Sequence, residues 1–253
     1  GGSLVLSTLA PPGEATRALL RRFANVFSLA YQRFIDLKKA EAQAREAEIQ
    51  LALERIRART MAMHKSEELS EVAALLFNQL KILGAELWTA GFAICKEDEL
   101  LVEKWMSSPI TGQIFDHLFI PYNADHGEQR MYDTWKNKVE LYSYVQGGKE
   151  LKDIYDHLMT IPSFKANFQK VIDAGRPLPV WQKNHVASYK YGYLLIITEN
   201  EFEEEDVFIR FAKVFEQTYT RFLDLQKAEA QAREAQIEVS LERVRARAMA
   251  MHK

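Results

Sequence analysis

A stretch of 43 residues occurs twice in this chain. Residues 23–65, FANVFSLAYQRFIDLKKAEAQAREAEIQLALERIRARTMAMHK, align without a gap against residues 211–253, with 30 of 43 positions identical. Chance does not produce such a match, so the segment is a repeated structural unit and the repeat must be read before any fold. From Leu37 onward the first copy holds no Gly or Pro and is rich in Ala, Glu, Gln, Arg and Leu. Those are the strongest helix formers, and the pattern predicts one long helix from about Arg17 to about Leu83.

The apolar positions of that helix are spaced three and four. Leu37, Ala40, Ala44, Ala47 and Leu51 form one seam, and Ile49, Leu53, Ile56, Thr60 and Met63 form a second on another face. Such spacing is that of a coiled coil, and the change of seam near Ala47–Leu53 is a stutter. The expectation is a parallel homodimer through these linker helices, with Leu37, Ala44, Leu51, Ile56 and Met63 in its seam; the alternative is a helix whose stripe packs on its own domain. Alanine seams bury little area, so the contact is expected to rearrange easily. Upstream, GGSLVLST (1–8) matches YGYLLIIT (191–198) after a two-residue insertion, and both read as an apolar strand. Residues 1–22 are therefore expected to be the remnant of a preceding module. The domains then run 23–65 (linker helix), 66–210 (module) and 211–253 (second linker helix).

Between the helices the texture changes. LWTAGFAICKED (87–98) and LLVEKWMSS (100–108) read as two strands around an acidic turn, and IFDHLFIPY (114–122) as a third. A helix is expected over 127–137, a strand over 138–146 stopped by Gly147-Gly148, and two helices over 149–160 and 163–175 separated by Pro162. Residues 179–198 supply two more strands, and the second linker helix follows. Antiparallel strands with helices before, within and after them predict an α+β fold.

The close of the module, NEFEEEDVFIRFAKVFEQTYTRF (200–222), carries Phe202, Glu205, Asp206, Phe208, Phe211, Ala212 and Phe215. This resembles the last helix of a GAF domain, and the Ala/Glu/Arg helices on either side resemble the signalling helices of bacterial sensor kinases and nucleotide cyclases. A PAS domain is the close rival. The resemblance implies a central antiparallel sheet with helices on its faces, and a dimeric, non-catalytic sensory domain of a signal-transduction protein such as a two-component histidine kinase. Its output domain would lie outside this chain. The alternative is a dimerisation spacer with no small-molecule ligand. The family's cyclic-nucleotide pattern is echoed by Asn137-Lys138 and Phe202…Asp206, but Val207 stands where that pattern has Glu. Cys95 is followed by Lys96, not His, which argues against a covalent bilin.

Abundant aromatics suit a pocket for an unidentified small molecule, with Trp88, Phe92, Trp105, Tyr142, Tyr144 and Trp181 as candidate lining; the alternative, and the default for such residues, is a packed aromatic core. No cofactor is singled out. Three Asp-His pairs, Asp116-His117, Asp125-His126 and Asp156-His157, lack the spacing of metal ligands. Gly147-Gly148 lacks the remaining glycine of a phosphate loop, and Cys95 has no motif partner for nucleophilic catalysis. His64 and His252 sit where a phosphoacceptor would, without the Pro-containing pattern usual after one. A net charge of −2 offers no field for nucleic acid or an anionic membrane. Arg55, Arg57 and Arg59 lie in a mixed-charge helix. A lone cysteine among 253 residues, and no run of apolar residues long enough to span a bilayer, predict a cytoplasmic chain.

Overall fold

The computed structural model describes residues 3–5, 7, 9, 11–65, 68–114 and 118–250. They form two compact units, 1–51 and 52–253. Helix α1 (Glu14–Met61) supplies most of the first unit. Its apolar residues there are bare: Phe27, Tyr31 and Phe34 stack in succession, with ring centroids 6.4 and 6.5 Å apart, and each stays more than half exposed. Leu37, Ala44 and Leu51 are exposed as well. Residues 3–5 and 7, expected in a strand, are not in one. A strand persists only by pairing, and among the described residues this unit contains no other strand. The rest of that expected strand lies outside the described residues.

The predicted helix to Leu83 is in fact two, because α1 stops at Met61 and α2 spans Leu69–Ile82. The carboxylate of Glu68 holds the corner, accepting hydrogen bonds from the backbone N–H groups of His64 and Lys65 at 3.0 Å and from Arg59 at 2.7 Å. Those partners, Arg59 first, pull its pKa down to about 2. Gly84 ends α2 at φ +93°, a left-handed conformation that side chains disfavour.

Six strands follow: β1 (Leu87–Lys96), β2 (Leu101–Met106), β3 (Leu118–Pro121), β4 (Leu141–Gly147), β5 (Trp181–Tyr189) and β6 (Gly192–Thr198). They pair antiparallel in the order β3-β2-β1-β6-β5-β4. The fold is therefore α+β, as the sequence predicts. Gly91 lies in β1 against β2, and a Cβ there would lie 1.9 Å from the Trp105 carbonyl oxygen. The remaining helices are α3 (His126–Lys136), α4 (Gly148–Leu158), α5 (Pro162–Asp173) and α6 (Asp206–Ala250). Asp125 caps α3 by accepting from the Glu128 backbone N–H at 2.8 Å.

Strand alternation gives the sheet two apolar faces. One is covered by α6: Phe215 packs on Phe92 at 4.6 Å and on Tyr189 at 5.5 Å, and Phe208 on His185 at 4.7 Å. Residues 52–61 of α1 close the same core, with the Thr60 and Thr218 hydroxyls 2.7 Å apart. Ile56 and Met63, expected in a seam between chains, are fully buried in this core. A partner helix cannot reach them, because the second unit, in which α2 and α6 bond this end of α1, already covers them. The other face meets α3, α4 and α5, where Met131 and Tyr132 join Val102, Val186 and Tyr193, and Leu151, Tyr155 and Val171 join Trp88.

Candidate ligand-binding cavity

The second face is not packed solid. A cavity of about 560 Å³ lies between the sheet and α3–α5, a size suited to a small organic molecule. Its walls are mainly apolar: Met106, Leu195 and Ile197 from the sheet, and Ile154, Leu158 and Phe168 from the helices. Trp88 enters because the β1–β6 register shifts between Leu87 and Thr89. That shift lets neighbours Trp88 and Thr89 both line the cavity. The Trp88 ring meets Tyr155 edge-on at 6.2 Å, and Arg176 lies over it at 5.3 Å. Arg176 is fixed by the carbonyls of Pro109 (2.8 Å) and Leu87 (3.1 Å) and by Glu199, so it clamps the segment after α5 onto β1.

One wall is polar. Gln182 Nε2 donates to Gln146 Oε1 at 3.0 Å, Asn184 Nδ2 donates to the same oxygen at 2.9 Å, and Tyr155 Oη donates to Gln182 Oε1 at 2.9 Å. Three amides are thereby held in fixed orientation by one another. Across the cavity Lys104 Nζ pairs with Glu128 Oε1 at 2.6 Å, and their side chains are only 5% and 13% exposed. The other oxygen, Glu128 Oε2, and the Tyr193 hydroxyl are buried without a hydrogen-bond partner. Arg130 lies over the Tyr144 ring at 5.5 Å, and burial pushes the Tyr144 phenol well above its ordinary pKa. The deep charges cancel, so the arrangement suits a neutral molecule, largely apolar, with one hydrogen-bonding edge.

Of the six aromatic candidates, Trp88 and Tyr144 line this cavity. Phe92 faces α6 instead, stacked between Phe215 and Trp105, which lies 5.5 Å away. Trp181 shares the strand face of Lys183 and His185, on the α6 side. Tyr142 stacks on Tyr144 but borders a separate, open depression of about 440 Å³ along α3. The sequence reading missed Lys104, Glu128, Arg176 and the three amides. A period-two signal existed for two of them: Gln182 and Asn184 alternate with Trp181, Lys183 and His185 along β5.

On the α6 side a polar cluster resembles a hydrolytic triad in composition. Ser143 Oγ is 2.9 Å from His185 Nδ1 and donates to Glu205 Oε2 at 2.6 Å. The single serine proton thus goes to the carboxylate, not to the imidazole, so the histidine is not placed as its base. Thr198 Oγ1 lies 3.1 Å from His185 Nε2 and 2.8 Å from the Asn200 carbonyl oxygen, so its proton can serve either. Burial holds the His185 pKa down to about 4. The cluster ties β4, β5 and β6 to Glu205 at the entrance of α6, and Lys183 adds a 2.8 Å ion pair to the same carboxylate.

Among the described residues no group of three His, Cys, Asp or Glu is placed to hold a metal ion. Asp125 is occupied as the α3 cap, Asp156 pairs with Lys152 at 2.5 Å, and Asp116-His117 lies outside the described residues. Cys95 is half-buried, and burial pushes its thiol up to about 12. Its thiolate fraction at pH 8 is then on the order of 10⁻⁴, so alkylation by iodoacetamide in the native protein should run at least about 100-fold slower than in urea. Equal rates in the two conditions would show an open, ordinary thiol.

No protein-family model matches the chain, and no curated protein matches it significantly. No helix among the described residues is long and apolar enough to cross a membrane.

Proposed function

We propose that this chain is a non-catalytic, GAF-like sensory module of a signal-transduction protein, taking a neutral small molecule into the 560 Å³ cavity and passing its occupancy to α6. The observation that carries the reading is the placement of cavity and α6 on opposite faces of one sheet. Strand β5 joins them: Gln182 and Asn184 line the cavity, while His185 packs on Phe208 and Lys183 pairs with Glu205. A ligand that favours one setting of the amide wall biases that strand, and with it the start of α6, by population shift. Homodimerisation through the exposed Leu37, Ala44 and Leu51 of α1 belongs to the same reading, as does a reducing, cytoplasmic setting for the lone Cys95. The cavity itself favours this over a spacer module, whose sheet face would be packed.

Titration with N-phenyl-1-naphthylamine, a neutral fluorophore, tests it. Its emission should rise saturably with the wild-type protein. Ile154→Trp, which fills the cavity from α4, should abolish the rise while leaving the far-UV circular dichroism unchanged. No saturable rise in the wild type, or undiminished binding by Ile154→Trp, refutes a ligand-accepting cavity.

A further inference from the structure

The two copies of the repeated helix are covered on complementary halves. In α6, Phe211, Val214, Phe215 and Tyr219 are 0%, 1%, 0% and 9% exposed. Their counterparts in α1, 188 positions earlier, are Phe23, Val26, Phe27 and Tyr31, at 60%, 67%, 64% and 57%. Farther along, the relation reverses. Leu53 and Ile56 of α1 are 2% and 0% exposed, whereas Leu241 and Val244 of α6 are 50% and 65%.

The occupant of the bare face on α1 can be read from the covered copy. In α6 the same side chains lie on the helix-facing side of the sheet, Phe215 on Phe92 and Tyr189 and Tyr219 on Tyr191. Three of the four positions carry the same aromatic residue and the fourth the same valine. Large apolar groups at this exposure mark an interaction surface. A two-stranded coiled coil favours Ile, Val and Leu in its seam over such rings.

We propose that the Phe23–Val26–Phe27–Tyr31 face of α1 docks, in a further module of this same kind, the side of the β-sheet that α6 covers here. Each copy of the 43-residue repeat then closes one module with its first half and opens the next with its second. The contact joins unlike surfaces, so it links one module to the next and does not form a two-fold pair. It is independent of what the cavity binds.

The test is a tandem chain in which residues 1–210 run directly into residues 23–253. Arg210–Phe23 reproduces the native Arg210–Phe211 and Arg22–Phe23 junctions. With Cys95→Ala throughout, Val26→Cys is placed on α1 of the 253-residue chain and on the helix at the junction of the tandem chain. Reaction with 5,5′-dithiobis(2-nitrobenzoate) should be fast in the former and about 100-fold slower in the latter, where the sheet covers the site. Gln32→Cys, whose counterpart Thr220 is exposed on α6, should react fast in both. Equal rates for Val26→Cys in the two chains overturn the proposal, as does equal slowing at both positions. Protection of Val26→Cys that rises with protein concentration to the same extent in both chains also overturns it, because a second copy is then the occupant.

Discussion

Phe215→Ala is expected to lower the free energy of unfolding by about 3–5 kcal/mol, while Phe27→Ala, the same position in the other copy of the repeat, changes it by less than about 0.5 kcal/mol. Phe215 is fully buried, with Phe92 at 4.6 Å and Tyr189 at 5.5 Å, so truncation removes apolar burial and leaves a void the sheet cannot close. Phe27 is 64% exposed, and its ring neighbour is Tyr31 on the same helix. Urea unfolding of the two variants, followed by tryptophan fluorescence, measures both. Comparable losses at the two positions would mean that the α1 face is covered in the isolated chain.

The second large effect is at the ion pair beside the cavity. Lys104→Met should cost about 3–5 kcal/mol, because it leaves the Glu128 carboxylate buried without its 2.6 Å partner. The double change Lys104→Met with Glu128→Leu should recover most of that loss, since two apolar groups of similar volume leave no charge to desolvate. A double-mutant cycle from urea midpoints decides the matter. If the double variant is as unstable as Lys104→Met alone, the loss comes from packing and not from the orphaned carboxylate.

Local rules written in the residues were enough for most elements. Gly84, Pro162 and Gly147-Gly148 punctuate the chain where the structure ends or starts helices and strands. The hairpin at Glu97–Glu99 follows from alternating strands around an acidic turn. The corner after Met61 was not legible, because it depends on one carboxylate, Glu68, meeting Arg59 and two backbone N–H groups at a distance no propensity encodes. The cavity was legible only in part. Trp88 and Tyr144 belong to it as aromatic abundance suggests, but Phe92 and Trp181 carry the same composition and face the other way. Which side an aromatic faces is set by register, and the shift at Leu87/Thr89 moves Trp88 relative to its neighbours.

The sequence by itself determined that one helix is used twice, that an antiparallel α+β module lies between the copies, and the order of that module's strands and short helices. Identity of residues and their period are local properties, and a chain carries them wherever it goes. Only the tertiary structure decided which half of each copy is covered. Phe27 and Phe215 are the same residue in nearly the same sequence, yet one is 64% exposed and the other 0%. Burial belongs to a residue and its neighbours together: Phe215 has the strand residues Phe92 and Tyr189 against it, and Phe27 has Tyr31 of its own helix.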